Sequence, residues 1–270
     1  MQSMMPSFIL NLTHVQYTQL DPATWCATAQ VSERSSLNLK RLWDELLWSS
    51  ADNISQVDFQ KLYELNWYYC LSSVSLSTRE MAQHQRRLQR KGVRLLLQQL
   101  LDELKLCDTL DESNFPYRLS SSEYYVCFSH TGSKNHHDIN QNTVQTIGTS
   151  LNSKVTVVIS RHRPIGIDIE INHVAWHVAQ RFYSEHEMAD LQALSPLQRE
   201  IIAKLLWQIK ESFIKIHQYK LAQGLGIDYS YLIADLVYAI REPSSLMVIA
   251  DIKSDYRIAV LSAQQTIVIF

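Results

Sequence analysis

Glycine and proline are scarce in this chain, with six of each among 270 residues. Together they make up about 4% of the sequence, where an average protein has about 12%. This scarcity argues against collagen-like repeats, glycine-rich phosphate loops and long flexible linkers. We therefore expect much of the chain to be helical.

Charge is low and nearly balanced. Lys and Arg number 25, Asp and Glu number 27, and the formal net charge is −2. This balance does not favour binding to nucleic acid or to an anionic membrane surface. The hydrophobic fraction is an ordinary 46%, which excludes a disordered or fibrous chain.

Cysteine is rare, and its spacing forms no motif. The four cysteines lie far apart, at Cys26, Cys70, Cys107 and Cys127. This spacing indicates neither a zinc knuckle nor a disulfide framework, so we expect reduced thiols. The first ten residues lack a basic leader, and no run reaches the roughly 18 to 20 apolar residues of a membrane span. We expect a soluble cytoplasmic protein.

Hydrophobic periodicity predicts one long helix in the first half of the chain, over about 78–106. A strand is expected at 123–128, and the polar segment 129–132 after it has the composition of a turn. The asparagine-rich stretch at about 133–153 is expected to be a long loop or insertion. Before the long helix, only a candidate helix at about 37–48 is recognisable.

The second half has the pattern of an α+β protein. Two β-branched segments at 155–159 and 165–171 predict a hairpin. Ser195 and Pro196 have the character of an N-cap and a first helical residue, and they predict a helix that extends to about residue 217. Short alternating segments predict antiparallel strands at about 246–252, 257–261 and 266–270.

Two carboxylates alternate with isoleucines in the segment at 165–171. Because side chains alternate along a strand, Asp168 and Glu170 share one face, about 7 Å apart. At an effective dielectric constant near 20 they would repel by about 2 kcal/mol. Mg²⁺ would remove this conflict, since it binds a few carboxylates and completes its shell with water and phosphate oxygens. An edge strand with a solvated acidic face is the alternative.

The helix that begins near Pro196 carries a second polar set. Trp207, Glu211 and Lys215 follow one another at i, i+4 and i+8, and Lys210 is one position round. Glu211 could be a third metal ligand or a base, and the lysines could hold phosphates. The alternative is a solvent-facing helix whose Glu–Lys pairs are each worth only a few tenths of a kcal/mol.

His130 lies in the predicted turn Ser129-His130-Thr131-Gly132, where a side chain and exposed backbone amides could meet an anion. A purely structural histidine is the alternative. The long helix adds a basic stripe, for which a solvated helix face is the alternative; its members are Arg79, Arg86, Arg87, Arg90, Lys91 and Arg94.

In order and spacing, these segments resemble the motif set of the 4′-phosphopantetheinyl transferases. The resemblance is carried by Gly166-Ile-Asp168-Ile-Glu170, by the segments 181–187 and 207–215, and by the upstream Ser-His-Thr-Gly segment. It covers residues from about 77 to 230. The chain is about twice as long as the short trimeric class and is similar in length to the long, surfactin-synthetase-activating class.

The resemblance implies an α+β (α/β) fold, a pseudo-dimer of two similar halves that each pack a long helix on a small, mainly antiparallel sheet. The first half, 1–163, would contain the coenzyme A phosphate-binding residues and the polar insertion at about 133–153. The second half, 164–270, would contain the metal-binding and catalytic motifs. A monomer is expected.

The resemblance also implies a function. This is the Mg²⁺-dependent transfer of 4′-phosphopantetheine from coenzyme A to a serine of an apo acyl carrier protein or peptidyl carrier protein, with release of 3′,5′-ADP. Such transfer serves fatty acid, polyketide or nonribosomal peptide biosynthesis. A catalytically silent module that binds coenzyme A or a carrier protein on the same fold is the alternative, but it would not need the metal-directed carboxylates.

Each role falls on a residue that matches the family pattern. Asp168, Glu170 and Glu211 would bind Mg²⁺, with Mn²⁺ as an alternative metal. Glu211, Lys215 and Asp168 would be catalytic, and Glu211 is the leading candidate for activating the carrier serine. Contacts to coenzyme A would come from Arg79, Arg94, Ser129, His130, Thr131, Lys210 and Lys215.

Overall fold

The computed structural model of the chain describes residues 8–35, 78–132, 153–241 and 244–270. The candidate helix at 37–48 and the predicted insertion up to residue 152 lie outside these residues. Of the cysteines that the structure describes, Cys26, Cys107 and Cys127 carry free thiols, as expected. No helix within the described ranges is long and apolar enough to cross a membrane.

Six antiparallel strands form the first sheet, in the order β1-β2-β6-β5-β4-β3. The strands are β1 (Phe8–Asp21), β2 (Thr24–Ser35), β3 (Leu110–Asp111), β4 (Tyr117–Leu119), β5 (Tyr125–Gly132) and β6 (Ser153–Ser160). The β1–β2 hairpin was not expected. Its turn is closed by the Asp21 carboxylate, which accepts a hydrogen bond from the Ala23 amide at 2.8 Å.

Helix α1 (Thr78–Glu103) confirms the predicted long helix and packs on one face of the first sheet. Its leucines meet every second residue of β6, and the meeting side chains are fully or almost fully buried. Burial of one such side chain contributes about 1.5 to 3 kcal/mol. The shared core contains Val93, Leu96, Leu97, Leu100, Leu101, Val155, Val157 and Ile159.

Four antiparallel strands form the second sheet, in the order β7-β10-β9-β8. They are β7 (Gly166–Ile169), β8 (Met247–Ala250), β9 (Arg257–Leu261) and β10 (Thr266–Ile269). The three C-terminal strands confirm the sequence prediction. The helices of this half are α2 (Trp176–Phe182), α3 (Glu185–Ala193), α4 (Pro196–His217), α5 (Leu221–Leu225) and α6 (Ile233–Ala239).

Helix α4 is the predicted helix with proline in its first turn, and it covers one face of the second sheet. The other face of this sheet packs against the first sheet through Cys26, Cys127, Val158, Ile167 and Val268. The layers therefore run α1, first sheet, second sheet, α4. The mixture of helices and antiparallel sheets confirms the α+β class, while the division into two halves at residues 163 and 164 stays a prediction.

Two local predictions were wrong. The Ser-His-Thr-Gly segment is the end of β5 and not a turn, because Ser129 and Gly132 pair with Thr156 and Ser153 of β6. Strands β6 and β7 form no hairpin, since they belong to different sheets. The connection between them is tied to the second sheet by Arg163, which donates to the carbonyl oxygen of Phe270 at 2.9 Å.

Candidate active site

The site lies where β7 meets α4. Gly166 makes this contact possible, because a Cβ atom at this position would stand 2.2 Å from the carbonyl oxygen of Ser212 on α4. Only glycine permits so close an approach of strand and helix. The approach brings Asp168, two residues further along β7, to the polar face of α4.

Asp168 is buried, with 4% of its surface exposed. Its Oδ1 accepts a hydrogen bond from the Ser129 hydroxyl at 2.8 Å and from the Lys215 ammonium at 3.0 Å. Lys215 also donates to the carbonyl oxygen of Ile167 at 2.6 Å. The alternative of a solvated acidic edge is therefore wrong for Asp168, whose carboxylate is held inside the protein by a lysine and a serine.

The charge of Lys215 is retained despite its surroundings. Burial lowers the pKa of a lysine, but the negative charge of Asp168 outweighs this effect, and the pKa of Lys215 is raised. A partly buried ammonium group that stays charged at neutral pH is suited to stabilise negative charge on a phosphate.

Glu211 lies one turn before Lys215 on α4, and its Oε1 accepts a hydrogen bond from the Trp207 indole at 2.9 Å. Burial, followed by the negative charge of Asp168, raises the pKa of Glu211 to about 7. Two carboxylates that disfavour each other's ionisation in this way favour the binding of a cation or a proton between them.

Glu170 follows β7 directly, on the same side as Asp168. Its Oε1 accepts hydrogen bonds from the Thr131 hydroxyl at 2.9 Å and from the backbone and side-chain amides of Asn172 at 2.8 and 2.9 Å. The negative charge of Glu170 also acts on Lys204 of α4, which is half-buried. Burial lowers the pKa of Lys204, and the charge of Glu170 opposes that shift.

The donor chemistry of these carboxylates suits Mg²⁺. Asp168, Glu170 and Glu211 each present one oxygen to protein donors, and the other oxygen accepts no hydrogen bond from the described residues. In the described part of the chain, however, no three His, Cys, Asp or Glu side chains stand close enough to share one ion. Mg²⁺ commonly takes one or two protein carboxylates and completes its shell with water and substrate phosphates. The site therefore fits Mg²⁺ together with a phosphate ligand, and not as a closed three-carboxylate cage.

Comparison with known proteins assigns this region to a family. Residues 164–260, which include β7 and α4, match the family model of the 4′-phosphopantetheinyl transferase superfamily. This segment, which is less than half of the chain, is similar to members of that superfamily. The resemblance to this superfamily is confirmed, while the long, surfactin-synthetase-activating class stays a prediction.

A curated relative supports the assignment. The chain is 48% identical over 54 residues to a protein of Bacillus subtilis named 4′-phosphopantetheinyl transferase. The aligned segment is 20% of this chain and spans only 24% of the relative's own length. No solved structure matches the chain.

The transferase superfamily match begins after β5, but two β5 residues take part in the site. Ser129 and Thr131 are buried, and their hydroxyls point to Asp168 and Glu170 across the gap between the two sheets. In the structure the two hydroxyls contact the carboxylates of the acidic segment. The contacts to coenzyme A that the resemblance implies for both residues stay a prediction.

His130, between them, faces the other side of β5 and is exposed. The atoms around its ring still desolvate it, and this effect, with the positive charge of Lys215, lowers the pKa of His130. Arg90 of α1 also contributes to this lowering. Two cations, Lys215 and Arg90, therefore act on His130, and the negative charge of Asp168 opposes them.

The two arginines predicted to hold coenzyme A lie on the exposed side of α1. Arg79 is in its first turn. Arg94 pairs with the exposed Glu112 and donates to the carbonyl oxygen of Arg90 at 2.7 Å. The structure brings neither arginine into a contact with His130 or the carboxylates, and Arg90 is the residue of α1 whose charge acts on His130.

Lys210 lies on a different side of α4 from Glu211 and is fully buried. Its ammonium forms an ion pair with the equally buried Glu187 at 2.9 Å and donates to the carbonyl oxygen of Leu225 at 2.8 Å. Glu187 in turn completes the capping box of α3 with Ser184. Lys210 therefore ties α3 and α5 to α4, and the structure does not place it with the predicted phosphate-binding residues.

Sequence reasoning missed two residues of α4 at this site. Lys204 is seven positions before Glu211, so the helical period that selected Trp207 and Lys215 could also have selected it. Gln208 gave no signal, since glutamine is usually a surface residue. It is fully buried, and its amide donates to the carbonyl oxygens of Asp168 at 3.3 Å and Gln265 at 2.8 Å.

Proposed function

We propose that this protein transfers 4′-phosphopantetheine from coenzyme A to a serine of an apo acyl carrier protein or peptidyl carrier protein. The proposal is carried by one observation. Lys215 and Glu211 of α4 converge on Asp168 of β7, inside the segment that matches the 4′-phosphopantetheinyl transferase superfamily. The name of the relative from Bacillus subtilis supports the same activity.

The reaction requires a base and a group that stabilises the leaving pyrophosphate oxygen. The carrier serine hydroxyl attacks the β-phosphorus of coenzyme A, the bond to the bridging oxygen breaks, and 3′,5′-ADP departs with that oxygen. The serine proton goes to the Glu211 carboxylate. Without a bound cation the pKa of Glu211 is about 7, and a cation beside it would lower this pKa, so that the carboxylate is ionised and able to accept a proton.

Lys215 is suited to the phosphate. An ammonium group has three donors, and Lys215 uses two of them on Asp168 and on the carbonyl oxygen of Ile167. The third donor remains for a phosphate oxygen, where a fixed positive charge stabilises the negative charge that develops during transfer.

Mg²⁺ would be held by Asp168 and Glu211, whose charges act on each other, with Glu170 beside them. When bound, it would neutralise the pyrophosphate and polarise its oxygens. Before the metal binds, Ser129, Lys215 and Trp207 keep the carboxylates in place through hydrogen bonds.

The 3′-phosphate of coenzyme A would meet His130, with the cations of α1 beside it. Among these cations, Arg90 is the strongest candidate, because its positive charge lowers the pKa of His130. Arg79 and Arg94 remain candidates. Arg94 would have to exchange Glu112 for the phosphate. Lys210 is left out of the phosphate set, because its donors are spent on Glu187 and two backbone carbonyls.

The long, surfactin-synthetase-activating class is the subclass we propose. The length of the chain and its two units of a long helix on an antiparallel sheet support this class. In such an arrangement one chain supplies both halves of the site, which agrees with the hydrogen bond from Ser129 to Asp168. A cytoplasmic monomer follows from the same proposal.

The proposal is tested by incubating the protein with coenzyme A, Mg²⁺ and a panel of apo carrier proteins from fatty acid, polyketide and nonribosomal peptide pathways. Intact mass spectrometry should find at least one carrier heavier by one phosphopantetheine group. The gain should disappear when coenzyme A is omitted or a chelator is added, and when the acceptor serine of the carrier is replaced by alanine. No gain on any carrier would contradict the proposal.

A further inference from the structure

Two hydroxyl groups of β5 meet the two carboxylates of β7 one to one. Ser129 Oγ donates to Asp168 Oδ1 at 2.8 Å, and Thr131 Oγ1 donates to Glu170 Oε1 at 2.9 Å. Both pairs are separated by the same 39 residues along the chain. Because side chains two apart on a strand share a face, one face of β5 is matched to one face of the acidic segment.

These contacts bridge the two sheets. β5 pairs with β4 and β6 of the first sheet, and β7 pairs with β10 of the second. No backbone ladder joins β5 to β7, so their relative position depends on side chains. Besides the apolar contacts of Cys127 and Ile167, the hydroxyl–carboxylate pairs link β5 to the acidic segment. Two longer hydrogen bonds add to them, from the Ile169 amide to Ser129 Oγ at 3.4 Å and from the Asn172 side chain to the carbonyl oxygen of Gly132 at 3.3 Å.

Burial decides which of the three β5 residues can reach a ligand. Ser129 and Thr131 are 7% and 6% exposed and spend their hydroxyl protons on the carboxylates, whereas His130 faces outward and is exposed. A hydroxyl has one proton to donate. Neither hydroxyl can donate to coenzyme A without releasing its carboxylate.

A neutral hydroxyl orients a carboxylate without cancelling its charge. On both carboxylates the bonded oxygen is the one that also receives other protein donors, namely Lys215 on Asp168 and Asn172 on Glu170. The second oxygen is left without a donor from the described residues. Hydrogen bonds of this kind to the residues that hold a metal fix the direction in which the free oxygen points.

We infer that Ser129 and Thr131 are positioning residues, through which the first sheet aims the Asp168 and Glu170 carboxylates at a divalent metal ion. The inference deepens the proposed function and rests on it for its consequence in catalysis. It differs from the sequence expectation, in which both hydroxyls contact coenzyme A.

The test compares wild type with Ser129→Ala, Thr131→Val and the double variant. Thr131→Val removes the hydroxyl at nearly constant volume, and Thr131→Ser restores it. Ser160→Ala is the matched control, because Ser160 is an equally buried hydroxyl whose partner is the Thr24 hydroxyl and not a carboxylate. Thermal unfolding midpoints identify any variant that acts by loss of fold.

Metal binding is measured with Mn²⁺ alone, by the electron paramagnetic resonance signal of the free ion during titration of the full chain. We expect the double variant to bind Mn²⁺ about tenfold more weakly, the lower end for loss of groups that orient metal ligands. The single variants should fall between, and Thr131→Ser and Ser160→Ala should match wild type.

In the transfer assay, the KM for Mg²⁺ should rise by a similar factor in the double variant, while the KM for coenzyme A stays within about twofold. Unchanged Mn²⁺ affinity in the double variant would overturn the inference, as would a wild type that binds no Mn²⁺. A rise confined to the KM for coenzyme A would also overturn the inference, and it would support a direct contact of Ser129 and Thr131 with coenzyme A. Weaker Mn²⁺ binding by the variants of a protein that modifies no carrier would support the positioning role and contradict the proposed function instead.

Discussion

Gly166 lies against the backbone of Ser212 so closely that no side chain fits between strand β7 and helix α4. This contact sets the distance between Asp168 on the strand and Glu211 on the helix. Gly166→Ala should therefore lower the free energy of unfolding by about 1 to 3 kcal/mol, the usual cost of overpacking. Transfer activity should fall further, up to about 100-fold, because a shift near 1 Å misplaces reacting groups.

Gly226→Ala is the control for this change. A Cβ at position 226 would be no closer than 3.5 Å to another atom, which is an ordinary contact. Urea unfolding and carrier modification rates would be measured for both variants. If Gly166→Ala behaves like Gly226→Ala in both measurements, the close approach of β7 and α4 does not determine the site.

The protonation of Glu211 should be visible in the stability of the metal-free protein. Burial and the charge of Asp168 raise the pKa of Glu211 to about 7 from an ordinary 4.5, so the folded state binds this proton more tightly than the unfolded state. The resulting contribution to stability is complete below pH about 4.5 and is lost as pH rises through about 7. Relative to wild type, Glu211→Gln should therefore gain stability as pH rises over this range.

Urea unfolding with a chelator at pH 5, 6, 7 and 8 measures this difference. Glu185→Gln, which replaces an exposed carboxylate of α3, is the control and should show no such trend. A difference between Glu211→Gln and wild type that stays constant from pH 5 to 8 would show that the Glu211 proton is held no more tightly in the folded state.

Local pattern predicted much of the site. Alternation along 165–171 placed Asp168 and Glu170 on one side, and helical period placed Glu211 and Lys215 on one face of α4, as the structure has them. The local pattern could not predict the hydrogen-bond partners of the Asp168 and Glu170 carboxylates. Their partners Ser129 and Thr131 come from another sheet, and no local rule connects strands that share no backbone hydrogen bonds.

The failures also have physical causes. Residues 129–132 have turn composition, but pairing with β6 satisfies their backbone groups in an extended form. Strand β1 was missed because many of its residues are polar. Lys210 was assigned to the phosphates because it is one position round the helix from Trp207, Glu211 and Lys215. In the structure α3 packs against α4 and brings Glu187 to Lys210.

His130 should discriminate between donors if it holds the 3′-phosphate. His130→Ala should lower kcat/KM for coenzyme A about ten- to a hundredfold, the worth of a charge-assisted hydrogen bond. Activity with 3′-dephospho-coenzyme A should barely change, because that donor lacks the group. His162→Ala, at an exposed histidine outside the site, is the control. Equal losses with both donors would mean that His130 is structural.

Arg90→Ala should show the same discrimination, because the Arg90 charge acts on His130. Arg79→Ala and Arg94→Ala, measured beside it with both donors, rank the basic residues of α1. A selective loss with coenzyme A in Arg94→Ala but not in Arg90→Ala would restore the sequence prediction over the structural one.

Lys210 should contribute more to the stability of the fold than to the binding of coenzyme A. Lys210→Met leaves the Glu187 carboxylate buried without its partner, and loss of one member of such a pair costs about 3 to 5 kcal/mol. The double variant Lys210→Met with Glu187→Leu should recover much of this loss, since both charges are then gone. Lys220→Met, at an exposed lysine, is the control. A stable Lys210→Met protein with weakened coenzyme A binding would return Lys210 to the phosphate site.

The central claim is that Asp168 and Glu211 support phosphopantetheine transfer, and the direct measurement is 3′,5′-ADP released per holo carrier formed. Wild type should release one for each carrier modified. Glu211→Gln should keep the fold and slow both products together by at least about 100-fold, and Asp168→Asn should slow them at least as much. Equal rates for wild type and both variants, or coenzyme A binding by wild type without any 3′,5′-ADP, would contradict the account.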